Sequence, residues 1–390
     1  MILSRRVVEQ VVDRDDRGRF VKELIVTGEP APLAMVRKRA ATRAGQPADC
    51  RAAVLLVHGY GQNRYAWHLP LRSMANHLAR AGFDVFNLDL RGHGRSAHLG
   101  APRPLSPAEY VREDLPRAVE EALRLGPSRE RLFLVGHSLG GLIAYAAAPA
   151  LAGAVAGVAT LGSPYHFLRG ARALALFGRL LGAFERWSAL PESDFAMELR
   201  GFGETVRILR RFIESPLYPL PVRGYVPANI EPDVLAQHMS LAMDAGSLPV
   251  LRHMFRWARE HERVGEGPGG VEGFGDAFEA LTGLPLLVIA GTRDDLVPPQ
   301  GVHTAYARSR SHDKTYRAFP AGHLDLLVGH TAPRTTWRWR HWPARSPPAS
   351  GAMGCPRIPT SRWPMSPPPF SRFPQSSWRC TGARRRAVAT

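Results

Sequence analysis

The chain has 390 residues, 45% hydrophobic and 22% charged, a balance that excludes wholesale disorder and a multi-span membrane protein and suits one α/β core with an insertion. The formal charge of +17 suggests a nucleic-acid binder, but residues 331–390 hold eleven Arg, no Lys and no Asp or Glu; with that tail set aside the first 330 residues carry only +6, and nucleic acid is not an expected partner. Cys50, Cys355 and Cys380 show neither metal-type nor redox-type spacing, so no disulfide framework is implied.

In chain order, the N-terminal MILSRRVVEQVVDRDDRGRF places charges every few positions and builds no secretory apolar run, so a cytoplasmic protein is expected. Residues 21–26 and 33–36, around Thr27-Gly28-Glu29-Pro30, predict a hairpin. Residues 52–57 and 83–88 are apolar β-rich runs stopped by His58-Gly59 and by Asp89-Leu90-Arg91-Gly92. Between them the spacing of Leu71, Met74, Ala75, Leu78 and Ala79 predicts a helix over 67–81. The unit repeats as a helix over 106–125 and a strand over 131–135. This alternation predicts an α/β fold with a mostly parallel sheet covered on both faces.

No charge falls between Arg131 and Arg169, which makes 142–161 long enough to count as a membrane-span candidate. Gly140, Gly141, Pro149, Gly153 and Gly157 punctuate it, so a buried helix followed by a strand over 155–161 is the expectation, with no transmembrane segment. From 164 to 283 the alternation stops, and amphipathic stretches such as 171–187 and 203–213 predict a helical cap or lid inserted into a core formed by 20–163 and 284–330. Strands are expected again over 284–290 and 314–319, with a short helix over 303–309. Residues 331–390 carry eleven Pro and five of the eight Trp. Two readings of that segment stand side by side, a disordered Pro/Arg-rich tail and a domain end replaced through a shifted reading frame.

The chemistry concentrates at Gly136-His137-Ser138-Leu139-Gly140-Gly141, a G-x-S-x-G pattern where an apolar strand gives way to a helical run. A sharp turn there exposes the Ser138 hydroxyl, and the small flanking residues keep neighbouring backbone clear of it. A serine needs a base, and the base needs a carboxylate to orient it. Ala290-Gly291-Thr292-Arg293-Asp294-Asp295 follows a β-rich run and offers two carboxylates at the same sheet edge, Asp294 and Asp295. Fifteen His make a lone His uninformative, but His323 in Ala321-Gly322-His323 follows the last predicted strand. His137, His93 and His330 read as loop or packing residues, and His58 as a residue that holds its own loop. Acyl transfer also needs N–H donors for the developing oxyanion: Leu139, directly after the serine, supplies one and Tyr60, in the loop after the first core strand, the other.

Together His58-Gly59, Arg91-Gly92-His93-Gly94-Arg95-Ser96, Gly136 to Gly141, Gly291 to Pro298 and Gly322-His323 resemble the α/β-hydrolase superfamily, above all its lipases and esterases, over about residues 20 to 330. The resemblance implies the order Ser138, Asp294, His323 for nucleophile, acid and base, selects Asp294 over Asp295, and implies the Tyr60 and Leu139 amides as oxyanion hole. It implies a carboxylic ester hydrolase acting on a small ester or lipid-like substrate through an acyl-serine. The segment 323–329 also resembles polyester synthases, but those use Cys where this chain has Ser138. No metal-ligand spacing, phosphate-cradling loop or nicotinamide fingerprint is present, so neither metal nor cofactor is expected. The competing expectation is a non-catalytic protein of the same fold whose Arg/Trp tail binds nucleic acid or acidic surfaces.

Overall fold

Apolar runs without helical spacing form the inner strands of one nine-stranded sheet, ordered β1-β2-β3-β5-β4-β6-β7-β10-β11. The computed structural model describes residues 1–28, 31–127, 130–166, 196–219, 223–263 and 275–330. The strands are β1 (Ile2–Asp13), β2 (Asp16–Val26), β3 (Ala34–Ala40), β4 (Ala52–Val57), β5 (Phe83–Leu88), β6 (Leu132–His137), β7 (Val155–Leu161), β8 (Ala196–Glu198), β9 (Ala245–Ser247), β10 (Leu286–Gly291) and β11 (Lys314–Phe319). From β5 to β11 the main sheet is parallel, and β1, β2 and β3 extend it antiparallel. This is the α/β-hydrolase fold. Inner strands carry apolar residues on both faces because both are covered: Leu55 and Leu134 enter one core, Leu56 and Val135 the other.

The order β5-β4-β6 is what positions a site. The chain leaves β4 in one direction to build β5 and returns past it to build β6, which opens a crevice at the carboxyl ends of β4 and β6, where open α/β sheets hold their ligands. The loop carrying Tyr60 follows β4 and Ser138 follows β6.

Several elements depart from the sequence expectation. The sheet starts at Ile2, ahead of residue 20, because β1 is an edge strand whose Arg5, Arg6 and Glu9 remain solvent-accessible and interrupt any apolar pattern. The expected hairpin is the end of β2 and the start of β3, which continues through Arg37, Lys38 and Arg39. These cations tolerate a strand because the buried Arg37 guanidinium clamps Asp84 in two-pronged fashion, Nε to Oδ1 at 2.8 Å and Nη2 to Oδ2 at 2.6 Å, and also reaches Glu23 Oε2 at 3.0 Å. Removing one partner of such a buried pair strands the other charge, so Asp84→Ala is expected to lower the unfolding free energy by about 3–5 kcal/mol in urea melts. An unchanged midpoint would mean that Arg37 finds water or another acid there.

The helix expected over 67–81 begins only at Met74 and runs to Arg80, after Pro70 and with the Ser73 hydroxyl accepting the Asn76 N–H at 3.0 Å as its cap. The segment expected as one helix over 106–125 contains a π-helical turn at Tyr110–Asp114 ahead of Leu115–Leu125. Pro116 explains it: without an N–H it cannot bond the carbonyl four residues back, and its ring pushes that turn wider. The charge-free stretch divides into the helix Leu139–Ala147 and β7, and among the described residues no helix is long and apolar enough to cross a membrane. Within 164–283 the described elements include the helices Leu199–Ile213, Pro232–Gln237, Leu248–Arg263 and Gly275–Glu279, and a small antiparallel pair, β8 with β9, that the helical pattern did not signal. The stretch 171–187 and the tail 331–390 lie outside the described residues.

Candidate active site

Ser138 sits between β6 and the helix Leu139–Ala147 at φ +52°, ψ −122°, a backbone conformation that non-glycine residues rarely hold. Its N–H is anchored to Leu161 O at 3.0 Å. The turn is possible only with minimal side chains around it. A Cβ on Gly136 would stand 2.4 Å from the Gly141 nitrogen, and one on Gly140 would stand 2.3 Å from Val57 O. The strain therefore falls on a serine held at a tight strand-to-helix turn.

Asp294 and His323 arrive from two later strands. Asp294 follows β10; its Oδ1 accepts the N–H groups of Leu296 at 3.0 Å and Val297 at 2.7 Å, which fixes the carboxylate, and its Oδ2 lies 2.8 Å from His323 Nδ1. With a carboxylate as partner, Nδ1 carries the proton and Nε2 keeps its lone pair, the tautomer a general base needs. Burial alone would lower the His323 pKa, but the Asp294 charge and hydrogen bond outweigh it and the net shift is upward from the usual histidine value. Gly162, at the end of β7, leaves room for the pair: a Cβ there would lie 3.2 Å from His323 Nδ1 and 3.3 Å from Asp294 Oδ2. Because Ser138 is tied to Leu161, its elbow and the Asp294–His323 pair share that strand end. The Ser138 hydroxyl has no hydrogen-bond partner among the described residues; the structure bonds Asp294 to His323 and ties Ser138 to Leu161, the residue before the Gly162 that borders that pair.

Asp295 faces elsewhere. Its carboxylate accepts the backbone N–H groups of Arg223 at 2.6 Å and Gly224 at 2.9 Å, pinning that backbone to the loop after β10, and burial raises its pKa. His58, His137 and His93 are buried, whereas His330 is exposed beside Glu231. His58 bridges Gly59 O at 2.9 Å and the Leu90 N–H at 3.1 Å, and burial lowers its pKa. His137 donates Nε2–H to His323 O at 3.2 Å, its ring centroid 4.6 Å from that of His323, and burial takes it well below the usual range. His93 stands 3.0 Å from the Tyr110 hydroxyl, with burial holding it down at about 3.

The loop after β4 closes directly on the elbow, since a Cβ on Gly59 would meet Ser138 Cβ at 3.1 Å. The next residue is Tyr60, whose N–H has no protein acceptor among the described residues, while its hydroxyl donates to Ser247 O at 2.9 Å in β9. The Leu139 N–H lies in the first turn of its helix, where no carbonyl of that helix can take it. Three buried supports escaped the sequence reading. Gln62 Oε1 accepts the Gly59 N–H at 3.2 Å; Asp244 Oδ2 accepts the Gly94 N–H at 2.7 Å; and Asp325 accepts the N–H groups of Gly322 at 3.1 Å and Val226 at 2.9 Å, bracing the loop that carries His323. Gln62 and Asp244 are lone polar residues in loops and Asp325 opens the short helix Asp325–Val328, with no spacing to distinguish any of them.

The family model described as alpha/beta hydrolase fold matches residues 52–330. The chain is 27% identical over 285 residues to a monoacylglycerol lipase of Mycolicibacterium smegmatis, a match covering 70% of this chain and 80% of that protein. It is 23% identical over 296 residues to the probable lysophospholipase BODYGUARD 1 of Arabidopsis thaliana, covering 73% of this chain and 58% of that protein's length. Among solved structures, a malate-bound esterase from Thermogutta terrifontis aligns with a TM-score of 0.49 at 19% identity, covering 79% of this chain and 93% of that one.

Proposed function

Since the chain belongs to the alpha/beta hydrolase fold family, we propose that it is a serine hydrolase of carboxylic esters, with Ser138 as nucleophile, His323 as general base and Asp294 as its orienting acid. The observation that carries this reading is the strained Ser138 at the crevice beside a 2.8 Å Asp294–His323 hydrogen bond. Relatives named as a monoacylglycerol lipase and a lysophospholipase support an ester of lipid-like character.

In the proposed reaction His323 Nε2 takes the Ser138 hydroxyl proton as Oγ adds to the ester carbonyl. The oxygen that gains charge is held by the Tyr60 and Leu139 N–H groups, aimed by backbone geometry before the charge develops. Collapse expels the alcohol, which receives the proton from His323, and leaves acyl-Ser138. Water, deprotonated by the same Nε2, then releases the acid. Asp294 stays ionised throughout and stabilises the imidazolium that forms twice per turnover. The insertion 164–283 is the proposed cap over the acyl chain: Tyr60 of the crevice reaches β9, and Gln62 lies 3.2 Å from His238 on the Pro232–Ala242 segment.

A p-nitrophenyl ester series from acetyl to palmitoyl tests the reading. Turnover with an optimum at one chain length is expected, and the optimum measures the acyl site. A folded chain that hydrolyses none of the series would reject carboxylic esters as its substrate class.

A further inference from the structure

Side chains of β1, β2 and β3 alternate between two sheet faces, and the two faces treat charge in opposite ways. On one, Arg5, Arg37 and Arg39 are all within 4 Å of Glu23, and Arg37 also holds Asp84. On the other, register places Arg6 opposite Lys22 and Lys22 opposite Lys38, three cations in a row without an acid among them. Like charges directly opposite one another destabilise a sheet. Lys38 escapes by burial and by donating to Gln10 Oε1 at 2.7 Å and Asn76 Oδ1 at 2.8 Å. Arg6 and Lys22 have no hydrogen-bond or ion-pair partner among the described residues.

The same face is concave. Two adjoining cavities, of about 450 and 360 Å³, share Lys22, Val36 and Arg64 in their walls. In the larger one Leu3, Val8 and Leu24 supply apolar surface, while Arg6 and Arg95 join Lys22 and Arg64. Glu9 is the one carboxylate in the lining of either cavity. Half-burial, then the charges of Arg64, Arg6 and Arg95, lower the Lys22 pKa; of these cations Arg64 also pairs with Asp89 at the rim of the face, while Arg6 and Lys22 have no such partner among the described residues. None of the residues proposed for ester hydrolysis lines these cavities.

We propose that this face is a binding site for a single-chain anionic amphiphile, its phosphate or carboxylate head held by Arg6, Lys22 and Arg64 and its chain laid along Leu24 and Val36. An anion there supplies the missing counter-charge to the row, and the apolar surface between the cations selects a ligand with a hydrocarbon part over a bare ion.

Calorimetry on the full chain tests it with three probes below their micellar concentrations: dodecyl phosphate, inorganic phosphate and the neutral dodecyl maltoside. Dodecyl phosphate is expected to bind, with affinity falling as salt rises. It should weaken at least tenfold in the Arg6→Gln/Lys22→Gln variant and stay within about threefold of wild type in Lys22→Arg. Because the double variant removes a repulsion, it is expected to melt no lower than wild type, which separates lost binding from lost fold. Equal affinity in the double variant and wild type would overturn the site. Dodecyl maltoside binding as tightly as dodecyl phosphate would overturn the role of charge, and inorganic phosphate doing so would overturn the amphiphile in favour of a free-phosphate site.

Discussion

Ser138→Ala is expected to cut kcat on the preferred p-nitrophenyl ester by about 10⁴–10⁶-fold while leaving the unfolding midpoint close to that of the wild-type chain. The loss is large because in the proposed reaction Oγ is the atom that forms the acyl bond, and no neighbour replaces it. Ser163, the nearby serine, has its hydroxyl on the carbonyls of Gly136 and Leu161, at 3.4 and 3.2 Å. Stability is spared because the Ser138 hydroxyl makes no hydrogen bond among the described residues, so its removal strands no buried partner. Ser138→Gly sharpens the test. At φ +52° a glycine relaxes what serine and alanine both endure, so this variant should be equally inactive yet more stable by about 1 kcal/mol. A gain in stability with total loss of turnover is what strain retained for chemistry looks like. Full activity in Ser138→Ala would remove the serine mechanism altogether.

The elbow was readable because its demands are local: a turn that forces positive φ on one residue and lets two backbones pass within contact distance leaves glycines at fixed offsets from Ser138. The inner strands were readable for a related reason. Ala52–Val57 and Val155–Leu161 are largely buried on both faces, so their apolar runs are nearly continuous and their boundaries abrupt. Strand β1 and the charged end of β3 were not: the charges of β1 face solvent and break its apolar pattern, while Arg37 of β3 is satisfied by Asp84, far away in sequence, and such pairing is invisible until the sheet is assembled. The same holds in part for Asp325 and Gln62: beside their local bonds to the Gly322 and Gly59 N–H groups, Asp325 accepts the distant Val226 N–H and Gln62 lies against His238. Composition assigned most of the +17 charge to the tail, yet within the body the sheet gathers Arg6, Lys22 and Lys38 into one row that a charge count spreads over separate strands.

The family resemblance selects Asp294 over Asp295, and that choice makes the second large prediction. Asp294→Asn is expected to lower kcat by about 10⁴-fold, because an amide in that place donates to His323 Nδ1 and drives the ring proton onto Nε2, the nitrogen that must accept from Ser138. Asp295→Asn should cost less than about tenfold, since its carboxylate serves the Arg223 and Gly224 amides and an amide oxygen still accepts from one of them. The pH profile carries an independent sign. His323 must be neutral to act as base, so kcat/KM falls as pH drops through its pKa, and with that pKa raised the inflection of the wild-type chain lies above the ordinary histidine value of 6.5. Removing the Asp294 charge leaves burial, which favours the neutral ring, so the residual activity of Asp294→Asn should inflect at lower pH than wild type. If Asp295→Asn instead produced both the large loss and the downward shift, Asp295 would be the acid and the 2.8 Å contact at Asp294 a structural one.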